Sequence, residues 1–317
     1  MAAADEVLGN VRMAQGNLAE ALQSYNASLA IIDHLAKTDL NNVTVWQRDL
    51  AVDHSRIGAV LLSQGKQGEA LQSYRRAIEF AEAIVKADPS NTGWLRDLSV
   101  AYNQVGQVLL QQGNPEQSLP LFKKSLAIRE SLAKLEPENP VRQRDLSTSY
   151  QWIGGVFMQQ NKFADALDSY QAELAIAERL AKTDPDNATW QRDLAGAHEK
   201  VGEALQADGK LAEALTSFES SLAIADGLAR ADPENLIWQR ASAFSRGRVA
   251  GVLAEQGDTS RALEEYRHGR DVIASLLQRS PDNADLSDDL AEYNSEIANI
   301  EQANAASPET KAQDASP

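Results

Sequence analysis

The residues able to do chemistry in this chain are few and far apart. Its histidines, His34, His54, His198 and His268, include no pair at the spacing of a metal-ligand set. His54 and His198 occupy the same place in a repeat, three units apart. Stacked helices lie about 8–10 Å from one another, which would separate these two imidazoles by roughly 30 Å. There is no cysteine, so disulfides and thiolate metal sites are excluded. Carboxylates are plentiful, but no two are obliged by the sequence to converge. The glycines are single and separated and make no phosphate-binding loop. Gly247 and Gly251, within Ser245-Arg246-Gly247-Arg248-Val249-Ala250-Gly251, follow no strand and read as a weakened terminal repeat rather than a nucleotide site. The sequence therefore assigns no catalytic, cofactor-binding or metal-binding residue, and a catalytic role ranks last among the functions it allows.

What the spacing does carry is periodicity. Trp46, Trp94, Arg142, Trp190, Trp238 and Leu286 recur at a 48-residue step, followed in the same phase by Arg48-Asp49, Arg96-Asp97, Arg144-Asp145 and Arg192-Asp193. Such a period denotes a stacked array in which each unit covers its neighbour's apolar face. Within 188–235, Trp190, Leu194, Ala197, Val201, Ala204 and Leu205 fall at helical spacing. Gly209-Lys210 breaks the pattern, and Leu211, Ala214, Leu215, Phe218, Leu222, Ala225 and Leu228 form a second stripe. Each unit is thus a pair of antiparallel helices.

The punctuation repeats as well. Gly16, Gly65, Gly113, Asn161, Gly209 and Gly257 stand between paired helices, as the left-handed residue after a helix end requires. Pro89, Pro137, Pro185, Pro233 and Pro281 close the units. Each is followed two residues on by Asn91, Asn139, Asn187, Asn235 or Asn283, placed to cap the next helix. The first closing turn departs from this, with Leu40 in place of Pro. The Arg-Asp pairs are expected to set Asp in a first turn, where the helix dipole favours it, and to join neighbouring units through Arg.

The resulting expectation is an all-α, right-handed α-α superhelix (solenoid). Its units are 1–42, 43–91, 92–139, 140–187, 188–235 and 236–283, closed by a capping helix over 284–303. A tail over 304–317, rich in Ala, Ser, Pro and charge, reads as disordered. Residues 4–14 match only the second half of a first helix, so the opening helix is expected to be truncated.

The net charge of −16 is unevenly spread. It sits at the two ends and in 188–235, which alone carries −5, whereas 236–283 comes to +1. Acidity argues against nucleic acid or an anionic membrane as partner. No run of apolar residues reaches membrane-spanning length, and the N-terminus has no signal-like segment, so the simplest localisation is cytoplasmic. In the basic exception, Arg240, Arg246, Arg248, Arg261, Arg267 and Arg270 could receive an acidic partner or the chain's own acidic stretch from Asp285 to Glu301. The intramolecular reading is preferred.

The inner part of each unit resembles the tetratricopeptide repeat. Tyr102-x-x-Val105-Gly106-x-x-Leu109 and Tyr150-x-x-Ile153-Gly154-x-x-Phe157 follow the first half of that pattern. Ala21/Tyr25, Ala70/Tyr74, Ala166/Tyr170, Ala214/Phe218 and Ala262/Tyr266 follow the second, with Ser118/Phe122 slightly off. Gly9, Gly58, Gly106, Gly154, Gly202, Ala250 and Ala298 supply the small side chain that lets paired helices approach. The family unit is about 34 residues long, and the surplus here lengthens both helices by about two turns at one end of the pair. The recurrent Trp lies in that added section and reads as a packing residue against Leu228 and its equivalents, rather than a ligand-stacking one.

The resemblance implies a protein-binding scaffold with extended peptides bound on a concave face lined by first helices. The candidate residues are then Asn103, Gln107, Gln111, Gln151, Gln159, Glu199, Glu203 and Gln206, although ordinary solvated faces would read the same way. Family members that grip acidic chaperone C-termini present Lys and Asn at set places in first helices. Here those places hold Ser55/Ala59, Asn103/Gln107, Gln151/Gly155 and Glu199/Glu203, so that cationic clamp is missing and a neutral or basic protein or peptide is the better guess. Long-unit bacterial arrays of this appearance are often joined to signalling or catalytic domains. A regulatory or sensing module truncated from a larger effector is therefore the alternative, and self-association through the first helix a third possibility.

Overall fold

The computed structural model of the chain describes residues 2–313, with side-chain surroundings for 2–305. Every regular element among the described residues is helical. The chain forms two compact units, 1–161 and 162–317.

The first unit holds α1 (Ala2–Ala14), α2 (Leu18–Thr38), α3 (Val43–Ser63), α4 (Gln67–Ala87), α5 (Thr92–Gln111), α6 (Pro115–Leu135) and α7 (Pro140–Gln159). A 3₁₀ turn over Leu40–Asn42 stands at the irregular closing turn, where Leu40 replaces the usual Pro. Successive helices pack on one another as antiparallel pairs. Ala21, Tyr25, Ile57, Val60, Leu61, Tyr74, Val105, Val108 and Leu109 form one continuous core across the first three pairs.

The second unit holds α8 (Phe163–Thr183), α9 (Ala188–Ala207), α10 (Leu211–Ala231), α11 (Leu236–Glu255), α12 (Thr259–Arg279) and α13 (Ala284–Gln313), again packed in sequence order. Leu205, Phe218, Val249, Leu253, Ile273 and Leu276 are buried between them. The last helix runs past residue 303, and residues 314–317 of the expected tail lie outside those described.

Local chemistry explains the helix ends. Gly16, Gly65, Gly113, Asn161, Gly209 and Gly257 all take positive φ, between 56° and 84°, at the turn inside each pair. Asn91 Oδ1 accepts from the backbone N–H of Gly93 and Trp94, each at 3.1 Å, and Asn139, Asn187 and Asn235 cap α7, α9 and α11 in the same way. The helix pairs close tightly because glycine faces an aromatic ring. A Cβ on Gly9, Gly58, Gly106 or Gly202 would sit 2.5–2.7 Å from Tyr25, Tyr74, Phe122 or Phe218.

The Arg-Asp series is half as expected. Arg48 reaches Asp97 at 2.9 Å, Arg96 reaches Asp145 at 2.6 Å and Arg240 reaches Asp289 at 2.7 Å, so arginine does join neighbouring repeats. The aspartates, however, lie beyond the first turn, and α3, α5, α7 and α9 carry no acidic residue there. Asp97 and Asp145 take the preceding repeat's guanidinium as partner rather than the helix dipole. Trp46, Trp94, Trp190 and Trp238 are half-buried at the start of their helices, with Trp46 Nε1 donating to Asp39 at 3.2 Å.

Candidate functional site

Groups with reactive potential are dispersed. Among the described residues no cluster of three or more His, Cys, Asp or Glu could hold a metal ion. His54 stacks on Phe80 with ring centroids 5.8 Å apart, and burial lowers its pKa, as it does that of His198. Two carboxylates are buried. Asp53 is pushed up to about 6 by burial, against the opposing hydrogen bond from Ser28 Oγ at 2.8 Å. Glu173 is pushed up to about 7 by burial, with Lys200 opposing and Asp193 adding to the rise.

A wide concavity lies within the second unit. A groove of about 780 Å³ is bounded by the first helices of successive pairs, with Gln206 from α9, Ile237 to Glu255 along α11, and Asp289, Glu292, Tyr293 and Glu296 from α13. Tyr266 and Ile273 of α12 also line it. The apolar part is exposed, with Phe244 54% and Ile237 70% accessible. Phe244 stands where the earlier repeats have Gly196, Thr148, Val100 and Val52, so the ring is peculiar to this repeat.

Two glycines shape the groove. Gly247 and Gly251 replace Glu199 and Glu203 of the preceding repeat. A Cβ on Gly247 would lie 3.0 Å from Tyr293 Oη, and one on Gly251 would lie 3.5 Å from Tyr266 Oη. The two tyrosines meet edge to face at 6.0 Å, and Tyr293 Oη donates to the carbonyl of Ala243 at 2.5 Å. The stretch read as a weakened repeat is therefore a place where α11 presents bare backbone to two phenols.

Most of the charge around the groove is already matched. Arg240 donates to both oxygens of Asp289, at 2.7 and 3.0 Å. Arg248 lies 5.1 Å from the Phe218 ring centroid and 6.0 Å from that of Phe244, and pairs with Glu203 and, at 3.9 Å, with Glu199. Gln206 Nε2 donates to Glu255 Oε1 at 2.5 Å. Glu292 and Glu296 make no ion pair among the described residues. Tyr266 is pushed up to about 12, first by burial and then by the negative field of Glu296, Glu292 and Glu255.

The residues anticipated from sequence divide between the two units. Asn103 is 3% exposed, and its amide, oriented with the nitrogen on Ser125 Oγ (2.9 Å), accepts from Arg129 (3.1 Å). It is part of the interior, which corrects its place on a binding surface. A buried arginine from α6 claims the polar group that the pattern of α5 alone left facing outward. Gln107 and Gln111 remain on α5, and Gln151 and Gln159 on α7, each half-buried or exposed. In the second unit Glu199 and Glu203 are occupied by Arg248, and of the predicted set Gln206 alone lines the groove. Ile237, Phe244, Tyr266, Tyr293, Glu292 and Glu296 were not anticipated. The available signal was the departure from the repeat at positions 244, 247 and 251.

The basic stretch resolves within the chain. Arg240 and Arg267 reach the acidic segment at Asp289 and Glu301, while Arg246 pairs with Asp226 and Glu265 and Arg261 with Glu219. No described helix is long and apolar enough to cross a membrane.

Residues 55–90 and 98–140 match the model of the tetratricopeptide repeat family, across helices whose glycine-on-aromatic contacts were described above. Over these residues the chain carries tetratricopeptide repeats. Solved structures share its fold. BtubC (BKLC) from P. vanneervenii aligns at a TM-score of 0.63 and 18% identity, over 82% of this chain and 92% of that one. The apo form of RapI aligns at 0.55 and 14% identity, over 86% and 99%. A putative kinesin light chain from Podosopora anserina with nearly identical TPR-like repeats aligns at 0.52 and 16%, over 70% and 94%. At these identities the likeness concerns the fold. No curated protein matches the sequence.

Proposed function

We propose that this helical repeat protein is a non-catalytic interaction scaffold that receives a protein or peptide segment on its first-helix face, with the groove of the second unit as the docking point. One observation carries the reading: a bulky ring, Phe244, stands 54% exposed in a groove of about 780 Å³, where other repeats have small or β-branched residues. A monomer gains nothing by leaving a large apolar side chain in water, and such concavities with a few convergent polar groups are the usual form of binding sites. The net charge of −16 supports a protein partner over nucleic acid or an anionic membrane.

The test is affinity capture from native lysate with the full chain and with a Phe244→Ala/Ile237→Ala variant of matched helicity. A partner held by the former and lost by the latter is expected. Retention by the full chain of no more protein than an unrelated acidic helical repeat retains would end the scaffold reading.

A second reading has its own observation. Val7, Leu8 and Val11 of α1 are all exposed, which supports self-association through that helix. Sedimentation across a dilution series should then show dimer giving way to monomer, and a monomer at every concentration would remove the idea.

A further inference from the structure

We infer that the groove of the second unit selects a basic segment carrying a bulky apolar side chain, the apolar group seated against Phe244 and the cation held by Glu292 and Glu296. This rests on the scaffold reading and names the chemistry of its ligand.

The cations of the groove are spent within the fold. Arg240 is held through Nε and Nη2 by Asp289 and lies 3.6 Å from Asp285 through Nη1, and Arg248 is committed to Glu203 and Glu199 while its guanidinium lies over the rings of Phe218 and Phe244. An incoming carboxylate would have to break one of these pairs to find a donor. The anions are different. Glu292 and Glu296 stand one turn apart on α13, both line the groove, and neither makes an ion pair among the described residues. Like charges at that spacing repel each other, and a Lys or Arg side chain between them relieves the repulsion.

The apolar half of the recognition is equally specific to this repeat. Phe244 and Ile237 are exposed together on α11, and Gly247 and Gly251 remove the side chains that would otherwise stand over the groove beside them. A purely cationic segment would leave this surface wet. A purely apolar one would leave the two glutamates unanswered. A segment with both satisfies both, and the volume of about 780 Å³ has room for several extended residues.

The experiment is fluorescence anisotropy on the full chain with three dye-labelled synthetic peptides of equal length, alternating Lys with Leu, Lys with Ser, and Glu with Leu. The Lys/Leu peptide is expected to bind at least about tenfold more tightly than either of the others. Phe244→Ala and the pair Glu292→Lys/Glu296→Lys should each weaken it by about tenfold or more. The pair Glu116→Lys/Glu138→Lys makes the same change in net charge on exposed positions of the first unit, and should leave the affinity unchanged apart from general electrostatics. Equal binding of the Glu/Leu peptide overturns the inference, as does a first-unit reversal that costs as much as the groove reversal. Should lysate capture survive in variants that abolish Lys/Leu binding, or Lys/Leu binding prove indifferent to the groove while capture persists, the scaffold stands and this ligand assignment falls.

Discussion

Arg129 of α6 donates from Nη1 to the main-chain carbonyl of Asp145 on α7 at 2.6 Å, while its Nε donates to Ser99 Oγ on α5 at 3.1 Å. A guanidinium that is 4% exposed thus ties three helices of the first unit through neutral acceptors, with Ser149 Oγ and the Asn103 amide completing its surroundings. The equivalent position in other repeats holds Ile32, Ala81, Ala177, Ala225 or Ile273. Burial lowers the pKa of Arg129, and the nearby charge of Asp145 opposes that shift. Removing the side chain leaves Ser99, Ser149 and Asn103 buried without their donor. Arg129→Ala should therefore lower the stability of the first unit by about 3 kcal/mol, read from urea unfolding followed by the fluorescence of Trp94 and Trp152. A loss below about 0.5 kcal/mol would mean that water replaces the guanidinium at no cost.

The same network explains what the sequence could and could not disclose. Turn glycines, Asn caps and the small residue beneath each aromatic are local or period-locked, so reading one helix pair suffices to place them. Asn103 is different. Its pattern on α5 puts it off the apolar stripe, and only a side chain arriving from α6 turns it inward. The dipole argument for Asp97 and Asp145 failed for a related reason: the arginine of the preceding repeat decides their environment, and it is 49 residues away in each case. The groove was legible only as a gap in the pattern at Phe244, Gly247 and Gly251. Single-helix reasoning took the glycines for weakness, because the tyrosines beneath them belong to α12 and α13.

Alanine substitution of glycine should have opposite signs at two kinds of site. At Gly106 the added Cβ would lie 2.7 Å from the buried ring of Phe122, and the ring has nowhere to move, so Gly106→Ala should destabilise by about 1–3 kcal/mol. At Gly227, inside α10, nothing lies within 4 Å of the new Cβ, and Gly227→Ala should stabilise by about 0.5–1 kcal/mol through helix propensity. Thermal midpoints of the two variants should move in opposite directions from the parent. A shift of the same sign would show that the tight crossing is not what holds the pair.

Glu173 gives the fold an unusual pH dependence. Its Oε2 is buried without a hydrogen-bond partner, and burial raises its pKa from 4.5 to about 7. Because the folded pKa is the higher one, the folded state binds the proton more tightly. The carboxyl is harmless below about pH 4.5, costs stability increasingly as pH rises from there to 7, and levels off above that at roughly 3 kcal/mol. Glu173→Gln should be more stable than the parent at pH 7.5, and the advantage should shrink as pH falls towards 5. Parallel stability profiles for the two proteins across that range would show that the carboxylate is solvated or paired after all.

The wall of the groove depends on Tyr293 as much as on any charged pair. Its ring lies where a Cβ on Gly269 would be 2.6 Å away, so α12 offers bare backbone to receive it, and its hydroxyl donates to the Ala243 carbonyl of α11. Arg240–Asp289 joins α11 to α13 too, but that pair is half exposed, and such bridges contribute about 0–1 kcal/mol. The buried phenol should dominate. Tyr293→Phe, which keeps the ring and deletes the donor, should cost about 1–2 kcal/mol, whereas Tyr293→Ala should cost about 3–5 kcal/mol. Since α13 packs on α12 and ends the described chain, the loss should be local. Amide exchange in α13 should quicken by one to two orders of magnitude in the alanine variant while α8 to α10 keep their protection. Arg240→Ala should change exchange in α13 far less. If it matched Tyr293→Ala instead, the ion pair rather than the tyrosine would be what fixes the helix and, with it, the position of Glu292 and Glu296.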